Sequence, residues 1–305
     1  MTPLKVYVTG GTGFIGRYLT SRLVEQGNSV TVLTRMVPRQ GRIPGVSYIG
    51  GNPAREGPWQ SRVAEYDIVI NLAGASIFRR WSARAKQEIR DSRISTTKNI
   101  VAALPALSGG RGKLLINCSA IGFYGSRGDE IVTEETKAGQ GFLASMVQEW
   151  EDAASAAAAN DIRVVQCRVG VVLGRNDQAL SRMVPLFKWG LGSPLGSGRQ
   201  WFSWIHIEDL VNIFIFLIKH PEIAGPVNCT APNPVTNREM TEALGRVLGR
   251  PVFLPSVPAL FMKMILGEFG TVLLEGQKVL PAKLMAHDFT FLFPELTMAL
   301  ADLVP

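Results

Sequence analysis

Cysteine and histidine are scarce in this chain of 305 residues, with three of each. Cys118, Cys167 and Cys229 each sit inside an apolar run (LLINCSA, VVQCRVGVV and PVNCTA), where a free thiol behaves as a small buried hydrophobe. An odd count without paired spacing points to a reducing compartment rather than a disulfide framework. His206, His220 and His287 lack metal-ligand spacing and have no cysteine near them in sequence, so no metal site is expected. Long hydrophobic runs are also missing. The longest, VPALFMKMILGEFGTVLL, is interrupted by Lys263, Glu268 and two glycines, which excludes a membrane span. The chain opens on the strand-like LKVYVTG, leaving no room for the charged and apolar regions of a secretory signal. A cytoplasmic protein with no membrane partner is the expectation.

The net charge is +7, yet the 32 lysines and arginines are scattered without a basic run or helix face. That pattern argues against a nucleic-acid partner and for an anionic small molecule. The nearest approach to a cluster is Arg35, Arg39 and Arg42. No internal repeat is visible, and the alanine-rich AASAAAAN at 153–160 continues the helix that FLASMVQEWE opens. A hydrophobic content of 46% is ample for a core.

Short β-branched runs alternate with helical patterns: KVYVTG, a helix over about 14–26, SVTVLT, DIVINLAG, a helix over about 82–104, KLLINCS, the helix from Phe142, and RVVQCRVGVVLG. Buried strands separated by helices imply parallel pairing through right-handed crossovers. The expected fold class is α/β, a Rossmann-like doubly wound parallel sheet over residues 1–175 with a smaller C-terminal substrate lobe over 176–305. KWGLGSPLGSGRQ (188–200) marks a loop, and 200–220, containing HIEDLVNIFIFLIKH, is expected to return to the first domain.

VYVTGGTGFIG runs a buried strand into a glycine-rich turn and a helix. Gly10, Gly13 and Gly16, with Phe14 and Ile15 between the last two, fit a turn whose backbone N–H groups approach a pyrophosphate at a helix N-terminus. An NAD-selective site places a carboxylate about 20 residues on, whereas an NADP site places an arginine there. SVTVLTR ends in Thr34 and Arg35, nineteen residues after Gly16, so NADP(H) is the expected cofactor.

Together with TGGTGFIG, the segments NLAG, CSAIGFYG, RVGVVLG and WIHIEDL resemble the extended short-chain dehydrogenase/reductase superfamily. GSGRQWFSWIHIEDL and the tail from VPALF to FTFLFPELTMAL narrow the likeness to its atypical NADP-binding epimerase family, over nearly the whole chain. The resemblance implies that Leu72, Ala73 and Gly74 lie beside the cofactor, that Glu88 and Arg93 face it, and that Val172 lines the nicotinamide. It also implies an acid/base Tyr-x-x-x-Lys pair working with a serine. Ser119 matches the serine. None of the five tyrosines is followed by lysine four residues later, and counting back from Glu151 puts Leu143 and Val147 at the expected positions. Tyr124, five residues past Ser119, is the alternative donor, with a bound water as the other.

The first reading is an NADP(H)-dependent epimerase-like or reductase-like oxidoreductase, its unknown small-molecule substrate including nucleotide sugars among the candidates. The second is a catalytically degenerate NADP(H)-binding regulatory or scaffold module. Family analogy adds a homodimer through the helices at 82–104 and 142–160.

Overall fold

The computed structural model describes residues 3–104, 113–175 and 177–304. Seven parallel strands form the main sheet: β1 (Lys5–Thr9), β2 (Ser29–Thr34), β3 (Val46–Gly50), β4 (Ile68–Asn71), β5 (Leu114–Ala120), β6 (Arg163–Val169) and β7 (Gly225–Cys229). Their spatial order is 3-2-1-4-5-6-7, all pairings parallel. The order reverses between β1 and β4, and the carboxyl ends of those strands open the crevice where ligands of this fold class bind.

Period-two alternation sorts the sheet's side chains onto two helical layers. Val6, Val8, Ile68, Ile70 and Val165 join a core with Leu19 and Leu23 of α1 (Phe14–Glu25). The intervening Tyr7, Val69, Leu115 and Val164 pack with Ile100 of α2 (Ala83–Ala103) and Ala154 of α3 (Phe142–Ser155). Burial of each large aliphatic side chain contributes about 1.5–3 kcal/mol, which is why both faces of the central strands read as continuous apolar runs. Ser82 starts α2 by accepting a hydrogen bond from the Ala85 N–H at 3.1 Å.

The sheet also draws on chain beyond residue 175. A short strand, Trp204–His206, pairs in parallel with Val171–Leu173. It leads into α4 (Ile207–Lys219), which packs on α1, with Arg22 and Glu208 paired at 2.6 Å. β7 then completes the sheet edge. The rest of the C-terminal portion carries two short ladders, Ile131–Val132 with Lys278–Val279 and Trp201–Phe202 with Val235–Thr236. Its helices include α5 (Asn237–Val247), α6 (Ala259–Leu266) and α7 (Glu268–Leu274). Among the described residues no helix is long and apolar enough to cross a membrane.

Candidate functional site

The glycine turn closes β1 onto the neighbouring strand's exit. Gly10 adopts φ 73°, and a Cβ there would lie 2.6 Å from the Leu72 carbonyl carbon and 2.9 Å from the Ala73 nitrogen. Only glycine permits that contact. Gly16 is equally constrained, since its Cβ would sit 2.4 Å from the Gly10 carbonyl oxygen. The Gly13 N–H donates to the Gly10 carbonyl at 3.0 Å, and α1 begins at Phe14 with no capping side chain and no acidic residue in its first turn. The first N–H groups of α1 are therefore free for an anion. Phe14 stands edge-on to Tyr18, its ring against Gly174, while Ile15 is half-buried. Val172, also half-buried, lies in the short strand beside Trp204–His206.

At the end of β2 the buried Thr34 donates its hydroxyl to the Met36 carbonyl at 3.1 Å, which turns the chain and leaves Arg35 exposed. Arg17 of α1 donates to the Gly41 carbonyl at 3.2 Å, and Arg42 donates to the Pro38 carbonyl at 2.7 Å. No acidic residue occurs between Glu25 and Glu56. Arg17 and Arg42 thus both reach this loop, whose own sequence holds no carboxylate, and sequence order alone did not bring Arg17 to it.

Gly74 faces the guanidinium of Arg93, at 3.1 Å from its projected Cβ to the Arg93 Cζ. Arg93 donates to the carbonyls of Ala75 and Ile89 and lies 5.3 Å from the Trp150 ring centre. Burial pulls this guanidinium below its ordinary value, and among the described residues no carboxylate pairs with it. Glu88 is on the exposed side of α2 and does not meet Arg93. It pairs instead with Arg79 at 2.8 Å and Arg84 at 3.1 Å, whose hydrogen bonds hold its carboxyl below the usual range.

A buried polar network crosses the carboxyl ends of β5, β6 and β7. Arg168 of β6 forms a two-pronged pair with Glu151 of α3, both contacts at 2.8 Å, with the two side chains only 5% and 7% exposed. Ser119 donates its hydroxyl to the same carboxylate at 2.6 Å. Tyr124 is fully buried; its hydroxyl donates to Asn228 Oδ1 at 2.6 Å and accepts from Arg168 at 2.9 Å. Glu134 closes the network by accepting the Asn228 N–H at 3.0 Å. Ser119 and Tyr124 are therefore brought together through Glu151 and Arg168, with both hydroxyls engaged by protein groups.

Burial pushes the Tyr124 phenol up from its ordinary 10.0 to about 12. Tyr7, whose buried hydroxyl has no partner among the described residues, is raised as well, chiefly by burial. Both phenols are neutral in the folded state, so their stabilising contribution is complete below the unfolded value of 10.0 and is lost as pH rises through the folded values. The urea midpoint is expected to fall between pH 10 and 12, and a flat profile across that window would show that neither phenol is withheld from solvent.

Leu143 and Val147, the positions expected for tyrosine and lysine, lie on the apolar side of α3 with Trp81, Ile89 and Phe269. Leu143, Gly122 and Phe142 border a cavity of about 190 Å³ between the start of α3, the turn after β5 and α7.

This turn, sheet order and crevice define a dinucleotide-binding α/β protein, and the chain belongs to the NAD dependent epimerase/dehydratase family, whose sequence model matches residues 6–229. Residues 257–303 match a second model, a domain of unknown function (DUF1731). The chain is 43% identical over 292 residues to the chloroplastic epimerase family protein SDR39U1 homolog of Arabidopsis thaliana, covering 94% of this chain and 83% of that one. Its fold is similar to human epimerase family protein SDR39U1 (isoform2), crystallised with NADPH, at a TM-score of 0.84 and 33% identity over 98% of this chain and 99% of that one. It is also similar to the nucleoside-diphosphate sugar epimerase from Corynebacterium glutamicum, at a TM-score of 0.78 and 32% identity over 98% of this chain and 58% of the other.

Proposed function

We propose that this chain is an NADP(H)-dependent oxidoreductase of the reductase or epimerase kind. The observation that carries the reading is the glycine turn, pressed onto the backbone of Leu72 and Ala73 with the free N–H groups of α1 beside it. In this reading Gly10, Gly13, Phe14, Ile15 and Gly16 hold the pyrophosphate, and Thr34 and Arg35 meet the ribose 2′-phosphate. Leu72, Ala73 and Gly74 flank the dinucleotide, Arg93 offers a buried positive charge, and Val172 borders the nicotinamide. The human relative crystallised with NADPH supports the same cofactor choice. When bound, the nicotinamide supplies a hydride donor or acceptor. Glu88 stays on the solvent face as part of an ion-pair cluster.

Ser119 and Tyr124 act here as positioning groups for the carboxyl end of β5, because their hydroxyls are committed to Glu151, Asn228 and Arg168. Water reaching the pocket supplies the proton that tyrosine supplies elsewhere in the superfamily. Tyr124→Phe is expected to lower stability by about 1–3 kcal/mol in urea denaturation, since it strands two buried partners, while leaving NADPH affinity unchanged. A variant of full stability that has lost turnover would instead make Tyr124 the donor.

The broader test is incubation of the NADPH complex with sugar nucleotides and small carbonyl compounds, following loss of reduced-nicotinamide absorbance. Oxidation by one of them supports the enzyme. The apolar Leu143 and Val147 favour the second reading, a binding module. NADPH held tightly and never oxidised across the panel would favour that module over turnover.

A further inference from the structure

We infer that the cavity beside Leu143 takes a compact, uncharged or cationic carbonyl compound with an apolar or aromatic face, and not the diphosphate of a nucleotide sugar. The inference rests on the NADP(H) reading above and names its substrate class.

The cavity holds about 190 Å³, below the roughly 300–1,000 Å³ of pockets that enclose drug-sized ligands. A nucleotide sugar would have to extend out of the cavity's open side. A single substituted ring fits inside.

The walls are largely apolar. Trp81, Phe142, Leu143 and Val272 supply the apolar surface, with the Trp81 and Phe142 rings 5.3 Å apart and nearly perpendicular. Phe269 packs against Trp81 from behind at 5.8 Å, which fixes the indole's position. Such rings favour an apolar or aromatic ligand face.

Charge decides against the diphosphate. Among the described residues the charged groups bordering the cavity are Glu268 and Glu275, with no lysine or arginine lining it. Lys86, the cation that approaches, is paired with Glu268 and lies 5.1 Å from the Phe142 ring centre, so its charge is already answered. Phosphate recognition calls on arginine forks or lysines. Glu275, the lining carboxylate left without an ion-pair partner among the described residues, would repel the diphosphate instead.

One feature of the cavity does favour partial negative charge. α3 begins at Phe142 after Gly141, which adopts φ 97° and offers no capping side chain, so the first N–H groups of the helix face this region without a side-chain partner. A helix start carries only about half a positive charge. That suits a carbonyl oxygen and is too little to offset several phosphate charges beside the Glu275 carboxylate.

The test is calorimetric titration of the NADPH-saturated protein with acetophenone, cyclohexanone and UDP-glucose, repeated on Val272→Trp. The larger side chain fills the cavity from α7, away from the glycine turn. The ketones are expected to bind the native protein and to lose at least about tenfold in affinity in the variant, while NADPH affinity stays the same. Should Val272→Trp fail to fold, Leu143→Phe narrows the cavity from α3. Binding of UDP-glucose that either variant abolishes, or failure of both ketones to bind, overturns the inference and leaves NADPH binding standing. Failure of NADPH itself to bind removes the reading on which the inference rests.

Discussion

Arg168→Met is expected to cost the fold about 3–5 kcal/mol, because it leaves the Glu151 carboxylate buried with no opposite charge. Arg168 is 4% exposed, its guanidinium stacks 3.5 Å from the Phe123 ring centre, and it holds both oxygens of Glu151. Burial alone would pull this guanidinium down, but the hydrogen bonds and charge of Glu151 more than offset it. The same substitution removes a donor from the Tyr124 hydroxyl, so the turn after β5 loosens with it. Urea denaturation of the purified variant measures the effect. A loss below about 1 kcal/mol, the scale of an exposed ion pair, would show that water reaches Glu151 and that the network is not closed. Replacing both partners together, as Arg168→Met with Glu151→Leu, should recover much of the loss, since an apolar pair leaves no stranded charge.

Arg35→Glu is expected to reverse the cofactor preference. Arg35 is exposed at the end of β2, in a stretch with no acidic residue from Gln26 to Arg55. Hydrogen bonds to a charged group contribute about 1.5–3 kcal/mol, so losing the arginine should weaken NADPH by roughly 10-fold to 150-fold. The introduced carboxylate would further repel the 2′-phosphate and accept from the 2′-hydroxyl of NADH. Direct titration with both dinucleotides reads the change. An unaltered NADPH affinity would move the 2′-phosphate contact to Arg17 or Arg42, which reach the same loop.

Much of the doubly wound sheet was legible in the sequence because its central strands are buried on both sides and its helices carry clear spacing. The helix expected over 14–26 is Phe14–Glu25, and that over 82–104 is Ala83–Ala103. The edges were less legible. β3, reading VSYIG, is only half-buried, and β7, reading GPVNC, starts with Gly-Pro and is five residues long. Neither carries a continuous apolar run. RVVQCRVGVVLG, taken as one strand, divides at Gly170, where the backbone of Ser203 approaches to 2.7 Å of a projected Cβ. That contact comes from a distant segment and leaves no local mark.

The same division runs through the site. The glycine turn is a local device, marked in the sequence by its spacing at the end of the first buried strand of an α/β pattern. The polar network joins Ser119, Tyr124, Glu134, Glu151, Arg168 and Asn228, residues from six separate elements and loops, and no spacing rule links them. An arginine inside the apolar run VVQCRVGVV was the one signal, since a cation on a buried strand requires a partner. Arg93 is the converse case. Its family likeness pointed to the cofactor, while its burial without a carboxylate became visible only once α2 was packed against Gly74.

The most direct test of the account is a fluorescence titration of the purified protein with NADPH and NADH side by side. Saturable NADPH binding at least about tenfold tighter than NADH is expected, since only the former carries the phosphate that Arg35 can meet. Equal affinities would contradict the assignment of the β2 terminus, and failure of both dinucleotides to bind would contradict the glycine turn as a cofactor site.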